Sequence, residues 1–322
     1  MYADFFGLAE APFDLSPNPR FLFLAPRQRE ALSNLRYGLA SAKGFTLLLG
    51  EAGTGKTTLV RTALSEIGDT PSRYVFVSNP TLLRAEFYEF LAEEFSLSPA
   101  ARTSKTRFLE ELKQDVTARF HAGGRTGLVV DEAQSMPYEL LEEIRLMGNL
   151  ETPTTKLLNI VLSGQPELAA RLNEPSLRQL KQRIALRCQL EALTLEETAA
   201  YISGRLRIAG GSPGEIFTRE TVVAIQEVSK GNPRTINVLC DNALISGFAS
   251  QRKPIPVQII DEVRRDFDLH ASDLAPSVTA DLASSPESQD AANGSVPSTL
   301  PESDRQMFSA LATKRKRFPF FA

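Results

Sequence analysis

Residues 47–60 read LLLGEAGTGKTTLV. Three leucines run into a loop that fits G-x-x-x-x-G-K-[ST]: Gly50, Glu51, Ala52, Gly53, Thr54, Gly55, Lys56 and Thr57, with Thr58 next. Glycines let consecutive backbone N–H groups turn inward and form a nest for phosphate oxygens. A lysine at this position reaches the outer phosphates, and the hydroxyl after it can ligate Mg²⁺. A helix expected over 57–66 points its positive end at the same anion. The apolar run 45–49 just before the loop predicts a buried parallel strand.

Working outward, strand-like runs recur at 73–78, 126–130, 157–163 and 185–190. Helical patterns separate them, at 27–42, 82–95 and 105–120. Strands alternating with helices predict an α/β fold, a P-loop parallel sheet sandwiched by helices. From Thr194 the strands stop, and four helical patterns predict a small all-helical domain over 192–268. Residues 1–26 are rich in Phe and Pro and read as an extended arm whose aromatics pack on the body. The division is therefore an arm at 1–26, a nucleotide domain at 27–191, a helical lid at 192–268, and a disordered linker and tail at 269–322. Residues 271–304 contain no Lys, Arg or aromatic residue, a composition that cannot bury enough surface to fold. The chain closes on KRKRFPFFA.

A phosphate loop needs a carboxylate for its metal. Residues 127–132 read GLVVDE, an apolar strand ending in two acids. Asp131 is placed to orient Mg²⁺, and Glu132 to polarise an attacking water. A carboxylate directly after the metal aspartate points to hydrolysis.

Composition narrows the classes. The chain has 322 residues, 42% of them hydrophobic, enough for a large core and a smaller domain. Its net charge is −3, and residues 1–270 carry 31 basic and 33 acidic side chains, so no polycationic surface is expected. Cys188 and Cys240 form no CxxC, which excludes a disulfide framework or a Cys-rich zinc site and suits a reducing cytoplasm. His121 and His270 are too few for a histidine metal site. There is no signal-peptide pattern and no apolar run near the ~20 residues that span a bilayer. The expected location is cytoplasmic.

The stretches FFGLAEAPFDLSPNPRFLFL, GEAGTGKTTL, LVVDEAQ, NIVLSGQPEL, LRQLKQRI and GNPRTINVLC, in this order, resemble the ExeA-like AAA+ ATPases, the family of general secretion pathway protein A. The resemblance covers residues 1 to about 268. It implies that the ligands are ATP and Mg²⁺. It implies that Arg234 in GNPR touches the γ-phosphate and couples the lid to nucleotide. Asn79 matches a polar residue that can hold the catalytic glutamate back. Ser163 or Gln165 matches the sensor at the end of the fourth strand. Arg183 resembles the arginine finger that completes a neighbour's site, with Arg178 and Arg187 as alternatives.

A finger acting in trans implies a homo-oligomer, a ring or stack. The family implies a motor or assembly factor for a secretion, pilus or polysaccharide-export system, with a protein partner there. Family members commonly continue into a membrane helix and a periplasmic module; here a linker and KRKRFPFFA follow instead. That basic–aromatic tail suits peripheral contact with anionic lipid at the inner membrane. The other reading is a DNA-dependent ATPase resembling transposition helper proteins, which the charge balance disfavours.

Overall fold

The computed structural model describes residues 1–16, 18–65 and 72–268. The linker and tail read over 269–322, with His270, and Glu66 at the end of the first expected helix lie outside the described residues. In chain order the elements are α1 (Tyr2–Phe6), α2 (Pro26–Ala40), β1 (Phe45–Gly50), α3 (Lys56–Ser65), β2 (Arg73–Val77), α4 (Arg84–Glu94), α5 (Pro99–Thr103) and α6 (Lys105–His121). There follow β3 (Thr126–Val130), α7 (Tyr138–Met147), β4 (Leu158–Gly164), α8 (Pro166–Leu172), α9 (Arg178–Lys181) and β5 (Ile184–Leu190). The last are α10 (Leu195–Ile208), α11 (Pro213–Ile216), α12 (Arg219–Ser229), α13 (Pro233–Ala249) and α14 (Val257–Asp266).

Every pairing in the sheet is parallel, and the strand order is β2–β3–β4–β1–β5. β1 is buried along its whole length between β4 and β5. Alternation assigns its side chains to two cores. Leu47 and Leu49 join Leu128, Val130, Ile160 and Leu162 under α4, α6 and α7. Leu48 joins Val129, Val161 and Cys188 under α2 and α3. Two covered faces explain why the central strands β1, β3 and β4 are buried along their length, while the edge strand β5 alternates. Parallel strands also bring all their carboxyl ends to one edge, where ligands of open α/β sheets bind. The loops after β1, β3 and β4 therefore meet.

The helical domain over 192–268 has its own core, with Ile202, Leu206, Ile225, Ile236, Leu239, Cys240 and Ile260 inside. Thr194 begins it with a capping box: its side chain accepts from the Glu197 N–H, and Glu197 accepts from the Thr194 N–H. The short α11 adds a fifth helix to the four expected. Both cysteines are free and buried, as filler rather than as bridges.

The arm departs from the expected extended form in one way: it opens with the helical turn α1. Its aromatics pack on the body, and the part of the body they meet is the lid. Phe6, Phe13 and Phe21 lie in the lid's core, and Tyr2 Oη donates to Asp241 at 2.8 Å. Arg205 of α10 fastens it further. This guanidinium is buried, donates to the Pro12 carbonyl at 2.6 Å and to Tyr201 Oη at 2.7 Å, and lies over the rings of Phe13 and Phe21.

One buried polar knot ties α4, α6 and α7. Glu143 is 5% exposed and accepts from Tyr88 Oη at 2.5 Å and from Lys105 Nζ, with Arg84 paired to it. Burial works against its ionisation, but Lys105, Tyr88 and Arg84 outweigh it and hold the carboxyl below its usual range. The stabilisation is therefore fully present above the unfolded carboxylate's range and is lost as pH falls through the folded value. Replacing Glu143 by Ala should cost about 2 kcal/mol at neutral pH, chiefly because it strands the buried Tyr88 hydroxyl, while Arg84 and Lys105 can turn to water. Urea unfolding of wild type and variant at pH 7 and pH 3 checks this; the gap should shrink at pH 3.

Candidate functional site

The loop after β1 turns tightly because Gly53 adopts φ 81° and Gly55 φ 94°. A side chain at Gly53 would also collide with the lid, its Cβ falling 2.6 Å from Asn232 Oδ1 and 2.8 Å from Arg234 Cβ. Thr54 braces the turn through its hydroxyl, which donates to the Glu51 carbonyl at 2.8 Å. Lys56 is 4% exposed and folds back over the loop, donating to the carbonyls of Gly50 at 2.8 Å and Glu51 at 3.1 Å. Burial lowers its proton affinity, opposed by the charges of Glu132, Asp131 and Glu51.

β3 delivers the carboxylates. Asp131 Oδ2 accepts from the Thr57 hydroxyl at 2.5 Å, and Oδ1 accepts from Ser163 of β4 at 2.8 Å. The two residues expected to hold a metal, 74 positions apart, thus touch. Hydroxyl and carboxylate oxygens are hard donors. Among the described residues no cluster of three or more His, Cys, Asp or Glu forms a cage. That donor set fits Mg²⁺, which takes one or two protein oxygens and completes its shell from phosphates and water.

Glu132 sits in the left-handed region at φ 50°, a conformation that costs a non-glycine residue energy and turns its side chain out of the strand direction. Two amides hold that side chain: Gln134 Nε2 at 2.6 Å and Gln165 Nε2 at 3.1 Å, both donating to Oε2. Gln134 Oε1 accepts in turn from the Gln165 N–H at 3.1 Å. Burial raises the proton affinity of Glu132, but the two amides and the Lys56 charge outweigh it and lower it overall. Arg171 of α8 supports the loop by donating to the carbonyls of Gln134 and Met136.

The lid closes the site. Asn232 caps α13 through Oδ1, which accepts from the Arg234 N–H at 3.0 Å, while its Nδ2 donates to the Ala52 carbonyl at 2.6 Å. Gly231 packs the start of α13 within the lid: at φ 78° it lies against Leu193, where a Cβ would fall 2.0 Å from a backbone oxygen. The resulting cleft of about 430 Å³ is lined by residues 52–59, Glu132, Arg234 and Asn237, and by Asp14, Ser16, Asn18 and Phe21 to Phe23 of the arm.

An AAA domain matches residues 39–172. General secretion pathway protein A of Aeromonas hydrophila is 43% identical over 250 residues, which is 77% of this chain and 45% of that protein. This chain is an AAA+ protein related to general secretion pathway protein A. It spans 45% of the length of that curated relative. Among solved structures, Cdc6p of Pyrobaculum aerophilum superposes with a TM-score of 0.60 at 17% identity, over 79% of this chain and 70% of that one. The ORC2 protein of Aeropyrum pernix gives 0.57 at 15%, over 80% and 71%. These likenesses establish the P-loop fold.

The structure places the site residues expected from the motifs and from the resemblance as follows. Lys56, Thr57, Asp131 and Glu132 come together, with Ser163 on Asp131 and Gln165 on Glu132. Arg234 lines the cleft, and its N–H lies 3.3 Å from the Gly53 carbonyl. Asn79 is not brought to Glu132: its Oδ1 accepts from the N–H and hydroxyl of Thr81 and shapes a turn. The three arginines do not line the cleft. Arg183 donates to the Arg145 carbonyl at 2.8 Å, while Arg178 and Arg187 are exposed. Sequence reasoning missed Gln134 and Asn232. Asn before Pro is a helix-start signal that pointed to Asn232; for Gln134 the only cue was its place two residues after Glu132.

Proposed function

We propose that this chain is a Mg²⁺-dependent ATPase that works as an oligomer to assemble a secretion, pilus or polysaccharide-export machine. The observation that carries the catalytic half is the meeting of the phosphate loop, Glu132 and the lid's Arg234 around one cleft, with Asp131 bonded to Thr57. Thr57 and Asp131 would hold Mg²⁺, which supplies charge neutralisation at the phosphates. Lys56 exchanges the loop carbonyls for phosphate oxygens. Glu132, anchored through Oε2, takes the proton of the attacking water. Gln165 and Ser163 hold the two carboxylates in place, and Arg234 couples the lid to the γ-phosphate. Asn79 takes its restraining role only after leaving Thr81. Arg183, or one of its neighbours Arg178 and Arg187, acts on an adjacent subunit, consistent with all three lying outside their own cleft.

The envelope role is supported by the identity to a protein named for secretion. KRKRFPFFA supports peripheral contact with anionic lipid at the cytoplasmic side of the inner membrane. Among the described residues no helix is long and apolar enough to cross a membrane.

ATP turnover per subunit, measured against protein concentration with and without duplex DNA, tests this. Turnover should rise with concentration and ignore DNA. A rate independent of concentration would sink the finger in trans, and strong stimulation by DNA would replace the envelope role with DNA handling.

A further inference from the structure

The mechanism above makes no use of Gln28. This residue stands in the first turn of α2, directly after the arm's Phe21–Phe23, and lines the same cleft as the phosphate loop. It is 8% exposed, and its Oε1 is buried without a hydrogen-bond partner among the described residues. Buried side-chain oxygens are paired in the great majority of cases, so an orphan at a ligand cleft points to a donor on the ligand. Beyond the phosphate loop the cleft lining includes the apolar side chains of Phe21, Leu22, Phe23 and Leu193, beside polar ones such as Asn18 and Tyr201. Phosphates belong at the loop, so the flat, apolar part of a nucleotide belongs on this side.

We propose that Gln28 reads the nucleotide base, its carboxamide oxygen accepting a hydrogen bond from the 6-amino group of adenine. The inference rests on the nucleotide reading of the cleft and deepens it. Guanine carries a carbonyl oxygen at the same position, which sets acceptor against acceptor as long as the carboxamide keeps the orientation it has here. A site whose polar group is left unpaired by the wrong ligand rejects that ligand more strongly than shape alone would. Gln28 thus makes the cleft an ATP site rather than a general purine triphosphate site. The orphaned oxygen is a cost carried by the nucleotide-free protein, as at other sites where stability is given up for binding.

The test is equilibrium titration of wild type and Gln28→Leu with ATP, GTP and purine riboside triphosphate, which lacks the 6-amino group. Wild type should prefer ATP over the other two by about 30-fold, the scale of one hydrogen bond plus an unpaired acceptor. In Gln28→Leu the three should bind within about threefold of each other. Inorganic tripolyphosphate should bind both proteins equally, and the melting temperature of the nucleotide-free variant should rise. If Gln28→Leu fails to fold, Gln28→Met serves the same comparison. An ATP preference that survives the substitution would overturn the role of Gln28 alone. A purely structural role would lower the melting temperature and leave the preference intact, which also overturns it. Folded wild type that binds none of the three nucleotides would overturn the nucleotide reading and this inference with it.

Discussion

Glu132→Gln should bind ATP with near wild-type affinity and hydrolyse it about 10²- to 10⁴-fold more slowly, the usual contribution of a positioned general base. The substitution keeps volume and shape, so the loop after β3 stays in place. What it removes is an anionic oxygen. In wild type, Gln134 and Gln165 both donate to Oε2, and among the described residues no bond is made to Oε1. One oxygen is thereby fixed and the other left to accept a proton. The same two amides, with Lys56, hold the carboxyl ionised against the opposing effect of burial. A carboxamide at 132 cannot take a proton from water at neutral pH, so binding and hydrolysis separate. Single-turnover hydrolysis and a binding isotherm on the same preparation decide the matter. Near wild-type turnover in the variant would remove Glu132 as the base; loss of ATP affinity would mean that its role is to build the pocket.

The second large effect belongs to Lys56. Lys56→Met should lower ATP affinity on the order of 100-fold or more, the worth of two charge-assisted hydrogen bonds to phosphate. It should also raise the melting temperature of the nucleotide-free protein. The ammonium is nearly fully buried, and burial depresses its proton affinity. A base whose folded-state affinity is depressed destabilises the fold while it is charged, and this cost eases as pH rises through the folded value toward the unfolded one. Methionine fills the same space without a charge, so the stability gap between the two proteins should narrow at alkaline pH. Thermal melts at pH 7 and pH 10, beside an ATP titration, read both effects. Unchanged ATP affinity would overturn the phosphate role.

These effects were visible in the sequence to different degrees. Lys56, Thr57, Asp131 and Glu132 could be named in advance because each is tied to a local pattern, a buried strand followed by a loop whose chemistry depends on neighbours in the chain. The lid could be seen for the same reason, since helical periodicity is local; Asn232 was missed although its place before a Pro that starts a helix is a local signal too. The arm's destination could not. Its Phe and Pro content says only that aromatics will be buried somewhere, and the core that takes them is built by helices some two hundred positions away.

The amides around Glu132 illustrate the same divide. Gln165 was one of two candidates, and only the parallel register of β3 and β4 brings it to Glu132 while Ser163 falls on Asp131. Asn79 follows β2, an edge strand paired with β3, and its local turn with Thr81 satisfies its side chain first. The orphaned oxygen of Gln28 has no signature in the sequence at all, because being unpaired is a property of everything that surrounds an atom. By itself, then, the sequence determined the phosphate loop and the α/β plan, and it named the residues proposed as metal pair and general base, all of them features written within a few residues of chain. The tertiary structure decided which amides hold the base, where the arm lies and what faces the far side of the cleft, because each of these depends on strand order and on packing between distant segments.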